Sequence, residues 1–293
     1  MAEPTFPNVK VIEGGLFGGP RFGLAPLVSY TVSDFTGTEA AGHDLSYLYD
    51  GDQDASFRTT AAPSGGISFV LNFPAALTSG AMIYIGLANF DKIYLEGRTS
   101  PGTPKYDWMH SLIIYKDTRT DNRKLWYTMT GFTYQYLQVW MGGGGHVIDP
   151  PSTYFEIGEL CVVDAANVIS FQLGHSLPYD VRVWRPREVA ERRGGGVGGV
   201  ANLGRRRVQI NWSGQPMRAD DEEKYNRIVR MDEDQKFIFA ENLSLPATPA
   251  RSGETATGIY GDRSRVYLVR RVGDSQMTLA GEVLEVGMQM EEV

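Results

Sequence analysis

The chain has 293 residues, 42% of them hydrophobic, 11% aromatic and 22% charged, with a formal net charge of −7. That length supports two domains, or one large domain with an appendage, and the ordinary apolar content suffices for a sizeable core. The acidic balance argues against a nucleic-acid surface, because phosphate binding is driven by Lys and Arg, and the single cysteine, Cys161, excludes an intramolecular disulfide.

No stretch reaches the roughly 18–20 apolar residues of a membrane span. Residues 1–7 show neither the basic nor the apolar region of a secretory leader. A soluble protein assembled in a reducing cytoplasm is expected, with no membrane partner.

Taken in chain order, residues 22–32 form an apolar, β-branched run after the Gly-rich 14–19. In 67–73, Ile67, Phe69, Leu71 and Phe73 alternate with smaller or polar residues, the period of a half-buried strand. Further short runs at 82–88, 91–96, 112–115, 124–129, 134–140 and 155–163, separated by turn residues, predict a sandwich or barrel. Cys161 falls in the apolar run 160–163 and reads as a small buried hydrophobe.

The texture changes near Val163. Strands are predicted at 168–173 and 181–184, then a Gly/Arg segment spans 185–204. Val208, Ile210 and Trp212 share one face of a strand at 205–212. Residues 219–231 read as the one helix: acids crowd its start, Arg227 and Arg230 its end, and Tyr225, Ile228 and Val229 make an apolar stripe. Strands resume at 236–240, 265–272 and 282–286. The fold expected is all-β with one helix, a sandwich over 1–165 followed by a smaller β module over 166–293.

Few motifs carry chemistry. Asp50, Asp52 and Asp54 alternate as at the start of an EF-hand loop, but Ala55 and Ala61 stand where that loop needs Gly and Glu. An Asp-Gly turn is the simpler reading and a looser calcium site the alternative; no other cofactor is indicated. Gly142–Gly145 lack the Lys-Ser/Thr of a phosphate loop, and His43, His110, His146 and His175 are scattered without metal-ligand spacing. No nucleophile elbow occurs, so no catalytic residue is assigned and the chain is not expected to be an enzyme. Trp140 and Trp212 sit in strand patterns and are expected in the core. Trp108, in 105–110, is expected in an exposed loop as the glycan-stacking candidate.

Leu48, Asp50-Gly51-Asp52 and Phe57-Arg58, the strand at 67–73, Asp91–Leu95 and the closing 154–162 together resemble the discoidin-type (coagulation factor C-terminal-like) β-sandwich. The resemblance covers about Val28 to Val163 and implies a binding module for glycans, lipids or proteins. It carries over no site residues.

From Gly204 onward, the order of strand, helix, 237–239, Tyr260-Gly261 and the terminal 281–286 is similar to the C-terminal part of tailed-bacteriophage tail and baseplate proteins. That similarity implies a virion structural component, made in the host cytoplasm and bound to copies of itself and other virion proteins. Arg192, Arg193, Gly194, Gly195, Gly196, Arg205, Arg206 and Arg207 are then its assembly contacts. The alternative is a carbohydrate-binding module recognising a cell-surface glycan, with Trp108 and the 50–54 loop near the ligand.

Overall fold

Two kinds of strand build this chain, those apolar on one face and those apolar on both, and the difference sets the order of its layers. The computed structural model describes residues 21–25, 27–52, 55–100, 103–117, 120–143, 148, 153–170, 180–184, 187–191, 197–202, 206–214, 223, 226–232, 235–240, 266–273, 276–280 and 283–293. The strands of the first half are β1 (Arg21–Gly23), β2 (Thr31–Ser33), β3 (Phe57–Arg58), β4 (Ile67–Asn72), β5 (Met82–Ala88), β6 (Lys92–Ser100), β7 (Thr103–Ile113), β8 (Tyr115–Lys116), β9 (Arg123–Thr128), β10 (Tyr136–Met141), β11 (Glu156–Ile157) and β12 (Glu159–Val163). The second half contributes β13 (Val168–Ser170), β14 (Asp180–Trp184), β15 (Arg187–Glu191), β16 (Val197–Asn202), β17 (Arg207–Gly214), β18 (Lys236–Ala240), β19 (Val266–Arg271), β20 (Gln276–Ala280) and β21 (Val283–Glu292).

The outer sheet is five-stranded, in the order β2-β4-β10-β6-β7. Its strands alternate. Leu137, Val139 and Met141 of β10 lie opposite Leu71, Phe69 and Ile67 of β4 on the inward face, with Leu95 and Ile93 of β6 beyond them. All of these inward side chains are buried in the main core, and each contributes roughly 1.5–3 kcal/mol of burial. The intervening residues face away from the sandwich.

The middle sheet, β12-β5-β9-β8, closes the sandwich. β5 and β12 are apolar on both faces, which explains the unbroken runs Met-Ile-Tyr-Ile in β5 and Leu-Cys-Val-Val in β12. Ile83, Ile85, Leu125, Leu160 and Val162 face the outer sheet. The alternate set Met82, Tyr84, Trp126, Cys161 and Val163 packs against Ile238, Ala240, Val266 and Leu268 of the rear sheet. Cys161 is thus a buried hydrophobe, as its sequence context predicts.

The rear sheet has eight strands, ordered β13-β1-β18-β19-β21-β17-β14 with β20 paired to β21. Chain order does not govern it: β1, from the start of the described chain, pairs with β18, placing Phe22 opposite Phe239 and Gly23 opposite Ile238. The sheet curls strongly. Phe22 of β1 and Trp212 of β17 stand several strands apart, yet their ring centroids are 5.3 Å from each other. The enclosed core holds Phe237, Phe239, Tyr267, Val269, Met288 and Met290, and Ile228 and Met231 cover it.

The fold is therefore mostly β with one helix: a two-sheet sandwich in front and a curled, helix-bearing β module behind. Residues 223 and 226–229 are helical. Ile228 is buried and Val229 packs on the same core, while Tyr225 lies outside the described residues. No helix among the described residues is long and apolar enough to cross a membrane.

Candidate functional site

The outward face of the outer sheet carries an arrangement that core packing does not require. Pairing across β4, β10, β6 and β7 sets out its rows. One row runs Ser68, Trp140, Tyr94, Ser111; the next runs Val70, Gln138, Glu96, Met109; the third runs Asn72, Tyr136, Arg98. Trp140, Tyr94 and Tyr136 are half-buried, while Ser68, Val70, Gln138 and Glu96 among them are buried. Met109 is 51% exposed at the margin.

Below the rings lies a hydrogen-bonded layer. Gln138 Nε2 donates to Ser68 Oγ at 2.9 Å, and Gln138 Oε1 accepts from Arg98 Nη2. The Gln138 amide is thereby fixed in one orientation. Glu96 is 4% exposed, and its Oε1 lies 3.6 Å from Arg98 Nε. That oxygen accepts no hydrogen bond although it is buried. Its partner there is the Arg98 guanidinium, with which it forms a largely buried ion pair. At the upper edge, Lys92 Nζ sits 5.2 Å from the centroid of the Tyr94 ring.

Sequence reasoning placed two tryptophans on the wrong sides. Trp108, expected in an exposed loop, lies in β7 and is 5% exposed. Its ring meets Phe132 and His110 edge-on at 4.7 and 4.6 Å, and its Nε1 donates to the Thr130 carbonyl at 2.9 Å. No ring face is left for a sugar. Trp140, expected in the core, faces outward because Leu137, Val139 and Met141 take the inward positions of β10. The alternation was present in the sequence; the boundary at residue 140 hid Met141 and with it the parity.

The Asp50 loop forms a local turn. Asp52 N–H donates to Asp50 Oδ1 at 2.8 Å, and Gly51 adopts a φ of 75°, which favours glycine. Lys236 Nζ of the rear sheet donates to the Gly51 carbonyl, placing an ammonium beside the turn. Asp54 lies outside the described residues, among which no group of three or more His, Cys, Asp or Glu is placed to hold a metal ion.

Beside this turn is Glu159, whose carboxyl is pushed up to about 8 by burial, with the Asp50 charge adding to the effect. Cys161 Sγ is 3.4 Å from Glu159 Oε1. Burial first, and the neighbouring Glu159 second, raise the thiol well above its ordinary range, so it is protonated and poorly nucleophilic. Burial likewise raises Tyr30, whose hydroxyl donates to the Leu160 carbonyl at 2.6 Å.

Of the expected assembly contacts, Arg192, Arg193, Gly194, Gly195, Gly196 and Arg205 lie outside the described residues. Arg206 is exposed and pairs with Asp121 at 3.0 Å, a link from the rear sheet to the turn before β9. Such a surface pair is worth at most about 1 kcal/mol. Arg207 opens β17 opposite Trp184.

No protein-family model matches the chain, and no curated protein does. Solved structures do. A carbohydrate-binding module, CBM32-3, from a family 31 glycoside hydrolase of Clostridium perfringens is 12% identical, with a TM-score of 0.35 over 46% of this chain and 90% of that one. A chitosan-binding module from a chitosanase/glucanase of Paenibacillus sp. IK-5 is 17% identical, with a TM-score of 0.34 over 47% and 96%. Reduced XRCC1, solved bound to the DNA polymerase β catalytic domain, is 14% identical, with a TM-score of 0.34 over 47% and 99%. Carbohydrate-binding modules thus stand among the structural neighbours, alongside a protein whose partner is another protein. At these scores the likeness bears on none of the residues above.

Proposed function

We propose that the chain is a non-catalytic binding protein whose front sandwich recognises a carbohydrate on the outward face of the outer sheet. The observation behind this reading is the pairing of the half-buried Trp140 and Tyr94 side by side on this face, flanked by the exposed Ser111 and, further along the strands, by Tyr136 and Arg98. A sugar presents the complementary chemistry: an apolar ring face for the aromatic rings and hydroxyls for the polar groups beside them. The tail-tip or baseplate role has only the sequence resemblance of the rear half behind it.

Calorimetric titration with a broad panel of soluble oligosaccharides tests the reading. At least one binds, and Trp140→Ala weakens its Kd at least tenfold with an unchanged circular dichroism spectrum. Silence across the panel, or undiminished binding by Trp140→Ala, overturns it.

A further inference from the structure

Resting on the carbohydrate reading above, we infer that the sugar this face takes is a carboxylated one, held with its ring on Trp140 and its carboxylate on Lys92.

The state of Lys92 is the first argument. It opens β6 two residues before Tyr94, on the same outward face, and its ammonium lies 5.2 Å from the centroid of the Tyr94 ring. Among the described residues no carboxylate pairs with that ammonium and no acceptor bonds to it. Lys92 is nevertheless half-buried. A cation that is partly dehydrated and held against a ring, with no anion beside it, attracts an incoming carboxylate more strongly than a fully solvated one would.

The balance of charge on this face points the same way. The charged side chains described in its rows are Lys92, Glu96 and Arg98. Glu96 and Arg98 pair with each other. Glu96 also stands four residues along β6 from Lys92, about 13 Å at the backbone. Lys92 is therefore the unbalanced charge of these rows, a local positive point on a chain whose net charge is −7.

Geometry supplies the third argument. The β10 neighbour of Lys92 is Gly142, whose N–H donates to the Lys92 carbonyl at 2.9 Å. β10 thus places no side chain between Lys92 and Trp140, which lies opposite Tyr94 in the adjoining row. Adjoining rows on one face are about 7 Å apart. That step is spanned by the flexible lysine stem on one side and by a carboxylate projecting from a sugar ring on the other. A hydroxyl in the same place is an uncharged acceptor and makes the weaker bond.

The experiment uses the full chain and titration calorimetry with two matched pairs, tetragalacturonate and its methyl ester, and sialyllactose and its methyl ester. Each pair differs in whether the carboxylate is charged, and the better acid shows which kind of carboxylated sugar is taken. At least one acid binds about fivefold or more tightly than its ester, the upper range for a partly exposed ion pair. The preference shrinks as salt rises from about 0.02 to about 0.5 M. Lys92→Gln brings the affinity of the acid to that of the ester, with an unchanged circular dichroism spectrum, whereas Lys92→Arg keeps the preference. Trp140→Ala weakens binding of the acid as well.

An ester that binds as well as its acid, or a preference that survives Lys92→Gln, overturns this inference and leaves the carbohydrate reading standing. Silence from both pairs, together with Trp140-dependent binding of a neutral oligosaccharide, has the same result. Acid binding that Trp140→Ala leaves undiminished, or silence from every saccharide, overturns both.

Discussion

Lys124 Nζ lies 2.6 Å from Glu292 Oε1, and both side chains are completely buried. Lys124 belongs to β9 of the middle sheet and Glu292 to β21 of the rear sheet, so the pair ties the two halves together. Its surroundings satisfy it further: Val208 N–H donates to Glu292 Oε2 at 3.0 Å, the Tyr267 ring centroid is 4.1 Å from the ammonium, and Asp117 is 3.9 Å from it.

Removing one member leaves the other charged and buried. Lys124→Met is expected to cost about 3–5 kcal/mol in urea unfolding, and Glu292→Gln to lose a similar amount. The double variant should cost less than the sum, because neither charge is then stranded. Strict additivity would show that the two side chains do not interact in the folded state.

Glu159 gives stability a pH dependence of its own. Its carboxyl titrates near 8 in the folded chain against a reference of 4.5, so the folded state keeps a proton that the unfolded state releases. Its contribution is most favourable below pH 4.5, declines as pH rises from 4.5 to about 8, and is flat above that. Across the window the slope approaches tenfold in the folding equilibrium per pH unit. Glu159→Gln removes this component, so the gain in urea midpoint of the variant over the parent should grow from about pH 5 to pH 8. A difference that does not change with pH would contradict the assignment.

Much of the front sandwich was legible because a strand covered on one face must alternate. Ile67, Phe69, Leu71 and Phe73 show that parity, and Leu137, Val139 and Met141 repeat it in the partner strand. The outward row of the candidate site was readable by the same rule, since Lys92, Tyr94, Glu96 and Arg98 interleave with Ile93 and Leu95. The family resemblance of Asp91–Leu95 covers the same run and masks the alternation of its faces. The burial of Glu96 beside Arg98 has no sequence signal, as it depends on how Gln138 and Arg98 pack across the strands. Nor does any local pattern place β1 beside β18, because Phe22 and Phe239 lie far apart in the sequence.

Gly23 shows how closely the rear sheet approaches the sandwich. A Cβ there would lie 2.9 Å from Val163 Cγ2 and 3.1 Å from Trp126 Cη2, between β12, β9 and β18. Neither neighbour is the free end of a flexible chain. Gly23→Val should therefore destabilise by about 1–3 kcal/mol through overpacking, with a shifted tryptophan emission from Trp126. Full stability with an unchanged spectrum would mean that the halves can separate at this seam.

Trp108 and Trp140 differ by which face of the outer sheet they occupy, and substitution should separate their roles. Trp108 fills the core beside Phe132 and anchors the Thr130 carbonyl, so Trp108→Ala is expected to cost about 3–5 kcal/mol. Trp108→Phe restores most of the apolar area but not the Nε1 donor. It should lose less stability while leaving oligosaccharide affinity within about twofold of the parent. Trp140 has solvent on one side, and its inward neighbours Val139 and Met141 are untouched by truncation, so Trp140→Ala should cost under about 1 kcal/mol. Urea denaturation of both variants, set beside their titrations, checks the pair. If Trp108→Phe abolished binding while the fold stayed intact, recognition would have to run through the inward side of β7, where Trp108, Phe132 and His110 already fill the space.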